Sequence, residues 1–197
     1  KFATTNECLA VGSGTDALHL AYILANIKKN DEVIAPVFTC TATNIPLLYI
    51  GAKIKFADID PNTMNISIDH VKKLITKKTK AIIFVNYGGV PCNLIELKKL
   101  KEKYNLTLIQ DAAQSLGSKV GKKHITEFAD FTIFSFQAIK HITSGDGGML
   151  TFKNKKLLEK SRRIRWFGID RENSKPSELG ERLFDIDEVG YKYHLND

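Results

Sequence analysis

The chain has 197 residues, of which 43% are hydrophobic and 26% are charged, and its formal net charge is +7. This length and composition fit one globular domain with a substantial core. We expect no membrane span and no signal peptide, because no apolar run approaches the roughly 20 residues that a spanning helix needs. Cys8, Cys40 and Cys92 have neither metal-ligand spacing nor a disulfide pattern, so we expect no metal site and a reducing, cytoplasmic location.

The positive charge raises the question of nucleic-acid binding. The lysines are scattered, however, in doublets such as Lys72-Lys73 and Lys98-Lys99, each within a segment of helical apolar spacing. Such doublets are typical of solvated helix faces, so we do not expect a nucleic-acid partner. A basic chain does attract phosphorylated cofactors and substrates that carry a diphosphate.

Predicted strands and helices alternate from the first residues onward. The predicted strands are residues 8–11, 32–36, 53–58, 81–85, 106–111, 131–136 and 149–152. The predicted helices are residues 16–27, 43–50, 68–75, 94–104 and 154–164, and the polar stretch 170–187 is predicted to be a loop. Pro46 is expected in the first turn of its helix. The alternation predicts an α/β fold with a mostly parallel central sheet flanked by helices.

Polar residues follow several of these predicted strands. Asp111, Asn86 and Lys140 all lie at or just beyond strand ends, where open α/β sheets bind their ligands. A strand-end lysine together with a strand-end aspartate suggests pyridoxal 5′-phosphate (PLP), which needs a lysine for its Schiff base and an acid beside its pyridine nitrogen. Taken alone, Asp111 has the alternative role of a helix N-cap, and Lys140 that of a surface lysine.

A glycine turn, residues 12–17, joins the first predicted strand to the first predicted helix. Free N–H groups and the helix dipole favour phosphate at such a turn, although a purely structural cap is an equal alternative. Thr15 adds a hydroxyl, and Ser135 can donate to the same phosphate. The spacing also fits a dinucleotide-binding turn, but the next strand ends at Ala35-Pro36 without the acid that such a site requires.

Together, five motifs carry a resemblance to a known family. They are residues 12–18, 111–114, 135–140, 143–148 and 165–168, and their order and spacing resemble those of the DegT-type nucleotide-sugar aminotransferases. The resemblance covers nearly the whole chain. It implies the PLP-dependent transferase fold type I, with residues 1–197 as the large PLP-binding domain and an N-terminal segment and a small C-terminal domain outside this sequence.

The resemblance also implies a role for each matching residue. Lys140 would bind the cofactor covalently and carry protons, Asp111 would pair with the pyridine nitrogen, and Gln114 would bond the ring hydroxyl. The phosphate would be held by Gly14, Thr15, the Asp16 backbone and Ser135. The family's activity would be transfer of an amino group, with glutamate as the expected donor, to a keto sugar linked to a nucleoside diphosphate. A homodimer serving amino-sugar and polysaccharide biosynthesis is therefore expected.

Three positions depart from the family's pattern. Cys40 stands where an aromatic residue usually stacks on the cofactor ring, and Asn86 stands where histidine is frequent. Lys192, within residues 190–194, replaces part of an element that reaches the neighbouring subunit, where it would neutralise the cofactor phosphate. Asn86, Tyr87 and His141 are the expected substrate contacts.

Other functions remain open at this point. One alternative is a non-transaminating relative, such as a sugar dehydratase, and another is a non-catalytic or regulatory fragment. Relatives that dehydrate often carry histidine in place of the lysine, so Lys140 favours transamination. A nicotinamide oxidoreductase depends on the glycine turn alone.

Overall fold

The computed structural model describes residues 7–196 and has a seven-stranded central sheet. The strands of that sheet are β1 (Glu7–Val11), β2 (Glu32–Pro36), β3 (Lys53–Ala57), β4 (Thr79–Val85), β5 (Thr107–Asp111), β8 (Phe131–Ser135) and β9 (Gly148–Phe152). The helices are α1 (Gly14–Leu24), α2 (Thr41–Ile50), α3 (Ile68–Leu74), α4 (Leu94–Tyr104) and α5 (Leu157–Arg165). Two small hairpins, β6 (Lys119–Val120) with β7 (Lys123–His124) and β10 (Lys175–Pro176) with β11 (Arg182–Leu183), lie outside the sheet.

The sheet has the order β1-β9-β8-β5-β4-β2-β3. Only β9 runs antiparallel to its neighbours, β1 and β8, and every other pair in the sheet is parallel. The predicted α/β fold with a mostly parallel sheet is therefore confirmed. Because β1, β8, β5 and β4 share one direction, their carboxyl ends meet at one edge, where ligands bind in such sheets.

Helices cover both faces of the sheet, and side chains alternate between two cores. Ile83 and Ile109 point to the core shared with α1, α2 and α5. Their neighbours Phe84 and Leu108 point to the core shared with α3 and α4. Continuous apolar runs are expected for strands that are buried on both faces, as the sequence of β4 indicated.

The first residues of two helices differ from the predicted ones. Helix α1 begins at Gly14, because Ser13 is its N-cap and accepts a bond from the Asp16 N–H at 3.1 Å. Helix α2 begins at Thr41, so the expectation that Pro46 lies in its first turn is wrong and Pro46 is inside the helix. The predicted loop 170–187 is irregular except for the short β10–β11 hairpin. None of the helices within residues 7–196 is both long enough and apolar enough to cross a bilayer.

One close backbone contact joins β9 to the start of α1. A Cβ at Gly148 would lie 2.3 Å from the Ser13 carbonyl oxygen and 2.7 Å from the Gly14 nitrogen. Gly148→Ala is therefore expected to lower the free energy of unfolding by about 1–3 kcal/mol, since backbone atoms must move apart. Urea unfolding followed by circular dichroism measures this loss. An unchanged midpoint would contradict the close approach of these two segments.

Candidate active site

A cavity of about 550 Å³ lies at the carboxyl edge of the sheet. It brings together six of the residues that the sequence singled out: Gly14, Thr15, Cys40, Asp111, Ser135 and Lys140. These residues come from α1, the start of α2, the ends of β5 and β8, and the turn that follows β8. The parallel strand directions explain this meeting, because chain segments far apart in sequence end at the same edge.

Asp111 ends β5 with its side chain almost fully buried, at 5% exposure. Its Oδ2 accepts a bond from the Thr43 hydroxyl at 2.8 Å, and its Oδ1 accepts one from the Ala113 N–H at 3.0 Å. The pKa of Asp111 is raised, because the effect of burial exceeds the opposite effects of these two bonds and of the positive charge of Lys140. No helix begins directly after Asp111, so this residue is not a helix N-cap. The carboxylate is held in place for a positively charged partner.

Lys140 lies in the turn that links β8 to β9. Its N–H donates to the Gln137 carbonyl at 2.9 Å, and the Phe136 N–H donates to the Gly147 carbonyl at 2.8 Å, which closes the base of the turn. Lys140 is half-buried, and it is the only lysine among the described residues that line the cavity. Lys140 thus borders the same cavity as Asp111, and its charge acts on the Asp111 carboxyl.

The start of α1 approaches the end of β8 closely. A Cβ at Gly14 would lie 3.0 Å from the Ser135 Cβ, so only glycine leaves this approach undisturbed. The first N–H groups of a helix lack intrahelical partners and attract anions. The Asp16 N–H already donates to Ser13 Oγ, and Asp16 does not line the cavity. Gly14, Thr15 and Ser135 line the cavity, and the phosphate role of the Asp16 backbone stays a prediction.

Gln114 and His141 line a smaller adjoining cavity of about 300 Å³, and Lys140 borders both cavities. Gln114 Oε1 accepts a bond from the Gly88 N–H at 2.7 Å, which ties it to the loop after β4. His141 is exposed. Gln114 and His141 therefore lie beside Lys140 in this smaller cavity.

Besides Asp16, three further predicted residues lie outside both cavities. Asn86 is fully buried, donates to Ser115 Oγ at 3.1 Å and accepts from the Cys92 N–H at 3.1 Å, so substrate contact would require it to exchange these partners. Tyr87 is half-buried and packs on the Phe38 ring. Lys192 is exposed and pairs with Trp166 through a backbone bridge.

Sequence analysis missed two residues that shape the site. Thr43 fixes the Asp111 carboxylate, but the bond spans 68 positions along the chain and has no local sequence pattern. Asp146 lines the cavity from within the glycine-rich turn, and its charge adds to the burial that raises the pKa of Asp16. Asp146 stands between Gly145 and Gly147 in a turn that already was a candidate ligand site, so the sequence could have indicated this residue.

Thr43→Val tests the clamp on Asp111. The variant leaves a buried carboxylate oxygen without its donor, which costs about 1–3 kcal/mol of folding free energy and raises the pKa of Asp111 further. If the site binds PLP through the ionised carboxylate, PLP affinity is lost as the pH is lowered and Asp111 becomes protonated. In Thr43→Val this loss should begin at a higher pH than in the wild type. Titration with PLP at a series of pH values measures this.

Thr132→Val is the matched control. Thr132 is also fully buried and donates to a side-chain oxygen, Gln110 Oε1, at 3.3 Å, but it does not line the cavity. It should lower stability without moving the pH dependence of binding. Identical pH profiles for Thr43→Val and the wild type would contradict the proposed clamp.

A family model for the DegT/DnrJ/EryC1/StrS aminotransferase family matches residues 1–197. The chain belongs to this family. GDP-perosamine synthase from Escherichia coli O157:H7 is 35% identical over 198 residues, covering 99% of this chain and 52% of that protein. The chain thus spans about half the length of the curated relatives it matches.

Solved structures of similar fold support the family assignment. PseC from Helicobacter pylori, an aminotransferase involved in the biosynthesis of pseudoaminic acid, is 30% identical with a TM-score of 0.87, covering 98% of this chain and 51% of that one. Spr1654 from Streptococcus pneumoniae, solved in a PLP form, is 26% identical with a TM-score of 0.87, covering 98% of this chain and 53% of that one. The resemblance seen in the five motifs and the predicted transferase fold are confirmed.

Within residues 7–196, no group of three or more His, Cys, Asp or Glu side chains is arranged to hold a metal ion.

Proposed function

We propose that this chain is the PLP-binding domain of an aminotransferase that acts on a keto sugar linked to a nucleoside diphosphate. One observation carries the proposal: Lys140 and the buried Asp111 line the same cavity, together with Gly14 and Thr15 at the N-terminus of α1. Names of relatives, GDP-perosamine synthase and PseC among them, support the sugar-linked substrate class.

The donor set fits PLP at both of its charged ends. Gly14 and Thr15 at the helix start, with the Ser135 hydroxyl, suit a phosphate. Asp111 suits a protonated ring nitrogen, because a buried carboxylate of raised pKa is stabilised by a cation at its open side. PLP, when bound, supplies the electron sink on which amino-group transfer depends.

Within this proposal, Lys140 has two tasks. Its uncharged amine would hold the cofactor covalently, and once released, its Nζ would accept and return the proton that moves during transfer. Asp111 would keep its negative charge beside the ring nitrogen throughout. Thr43 and the Ala113 N–H would prevent the carboxylate from turning away.

The remaining predicted residues are assigned by their position. Gln114 and His141, beside Lys140, would contact the cofactor's edge and the substrate, and Tyr87 and Asn86 would shape the loop next to Gln114. Lys192 is proposed to reach the phosphate in a partner subunit, which requires a homodimer. Glutamate is the proposed amino donor. We also propose a cytoplasmic location, because the described cysteines form no disulfide.

Absorbance spectroscopy of the full-length protein tests the function. Added PLP should produce a visible band, and glutamate should convert it to the near-ultraviolet spectrum of the pyridoxamine form. Keto-sugar nucleotides should then restore the visible band. A band that neither glutamate nor another amino acid changes would contradict transamination and favour a non-transaminating relative; no band at all would contradict the cofactor assignment.

A further inference from the structure

We propose that the hydrogen bond between His19 and Tyr193 positions the glycine turn, residues 12–17, for the cofactor phosphate, which makes His19 a positioning residue of the site. The inference rests on the proposed PLP site and adds to it the contact that holds its phosphate end. His19 Nδ1 lies 2.8 Å from the Tyr193 hydroxyl oxygen, and this bond joins residues 174 positions apart in the chain.

His19 belongs to α1 and lies about one helical turn beyond Thr15, which lines the cavity. Its side chain is almost fully buried, at 4% exposure. The rings of Tyr49, Tyr191 and Tyr193 meet it edge to face, with centroids 5.7, 4.9 and 5.9 Å from the imidazole centroid. His19 and these tyrosines do not line the cavity, so they would affect a bound cofactor only indirectly.

Tyr193 connects His19 to the glycine turn. Its carbonyl accepts a bond from the Gly12 N–H at 2.8 Å, and its own N–H donates to the Arg165 carbonyl at 2.9 Å. Gly12 directly precedes Ser13, the N-cap of α1. The side chain of Tyr193 is thus fixed on α1, and its backbone holds the first residue of the turn that leads into α1.

The chain segment around Tyr193 is also anchored on α5. The rings of Tyr191 and Tyr193 are stacked, with centroids 5.0 Å apart and planes inclined by 10°. The Tyr191 N–H donates to the Ile164 carbonyl at 2.7 Å, and the Phe167 N–H donates to the Tyr191 carbonyl at 3.1 Å. Loss of the His19 bond would therefore let α1 and its turn move relative to a segment that stays in place.

Both partners of this bond are uncharged at neutral pH. Burial lowers the pKa of His19, so its ring is neutral. Burial, together with the nearby charge of Asp16, raises the pKa of Tyr193 to about 12, so its hydroxyl keeps its proton. The bond therefore positions the turn without adding a charge beside the phosphate.

Binding of PLP and of 5′-deoxypyridoxal to the full-length protein tests the proposal, because the second compound keeps the ring and the aldehyde but lacks the phosphate. Tyr193→Phe removes only the hydroxyl. Its PLP affinity should fall by about 3- to 10-fold, since a buried hydrogen-bonding group loses its partner. Its affinity for 5′-deoxypyridoxal should stay unchanged. Absorbance titrations measure both affinities.

Tyr49→Phe is the matched control. The Tyr49 ring also contacts His19, but the bond of His19 Nδ1 goes to Tyr193. This variant should bind both compounds as the wild type does. His19→Phe should reproduce the effect of Tyr193→Phe, and the double variant should lose no more affinity than either single variant, because each removes the same bond. Circular dichroism checks that all variants fold.

The outcomes separate the two proposals. Selective loss of PLP affinity in Tyr193→Phe supports both. Equal effects of Tyr193→Phe on the two compounds, or no effect on either, would overturn the positioning role and leave the proposed function standing. Additive losses in the double variant would likewise overturn the positioning role. Absence of a visible band with PLP in the wild type would overturn the proposed function and this inference together.

Discussion

Lys140→Ala is expected to abolish the visible absorbance of bound PLP and to lower kcat by roughly 10⁴-fold or more, because no other group can replace a covalent catalytic amine. Among the described residues that line the cavity, no second lysine is available to take over. The fold should persist, since Lys140 is only half-buried and its backbone bond to Gln137 does not involve the side chain. Absorbance after PLP addition and circular dichroism measure the two effects separately.

Lys77→Ala provides the control for this variant. Lys77 is exposed and lies outside the cavity, so its removal should leave both the band and the turnover unchanged. A visible band of normal intensity in Lys140→Ala would refute the assignment of this lysine as the cofactor's covalent partner.

Asp111→Asn is expected to reduce turnover by about 10²- to 10³-fold, because the substitution removes the preorganised negative charge beside the ring nitrogen. PLP binding should change far less, since the lysine and the phosphate contacts remain. Steady-state kinetics and a PLP titration separate the two quantities. Normal turnover would show that the carboxylate is not the ring's electrostatic partner.

Without the cofactor, Asp111→Asn is expected to stabilise the fold at neutral pH, although it lowers turnover. Burial raises the pKa of Asp111, so the folded state holds this proton more tightly than the unfolded state does. The free energy of unfolding therefore decreases as pH rises from the carboxyl's ordinary pKa through its raised value. Asn cannot ionise, so the apo variant should lack this decrease. Urea unfolding of both apo proteins from pH 4 to pH 8 measures the difference.

Loss of folding stability in exchange for activity is common where a charged group is buried in an active site. If the stability difference between the apo wild type and Asp111→Asn were constant over this pH range, the raised pKa of the carboxyl would be contradicted. PLP should reverse the sign of the effect, because its protonated ring nitrogen stabilises the ionised form of Asp111 and not the amide.

Strand ends were the part of the site that could be predicted from sequence. The pattern of each strand is local, and parallel strands terminate at one edge, so Asp111, Asn86 and Lys140 were expected at one site. Asp111 and Lys140 line one cavity, whereas Asn86 does not. Contacts that close the site were not predictable, because they join separate parts of the chain. The bond from Thr43 to Asp111 and the burial of Asn86 both depend on how loops pack.

Helices α1 and α2 both begin two residues earlier than predicted. Ser13 caps α1 by accepting from the Asp16 N–H, so α1 begins at Gly14. Helix α2 begins at Thr41 without a side-chain cap, which places Pro46 inside the helix. Hydrophobic periodicity identifies the buried face of a helix but does not decide its first residue.

The antiparallel strand β9 has a consequence for the order of assembly. It pairs with β1, at the beginning of the described chain, although it lies far along the sequence, and the Gly148 contact brings the α1 turn against it. If α1 and Ser135 hold the phosphate as proposed, that end of the site is complete only after the most distant pairing in the sheet has formed. Long-range pairings form slowly because a large loop must close first. Recovery of PLP binding during refolding should consequently follow the slowest phase, after most helix signal has returned.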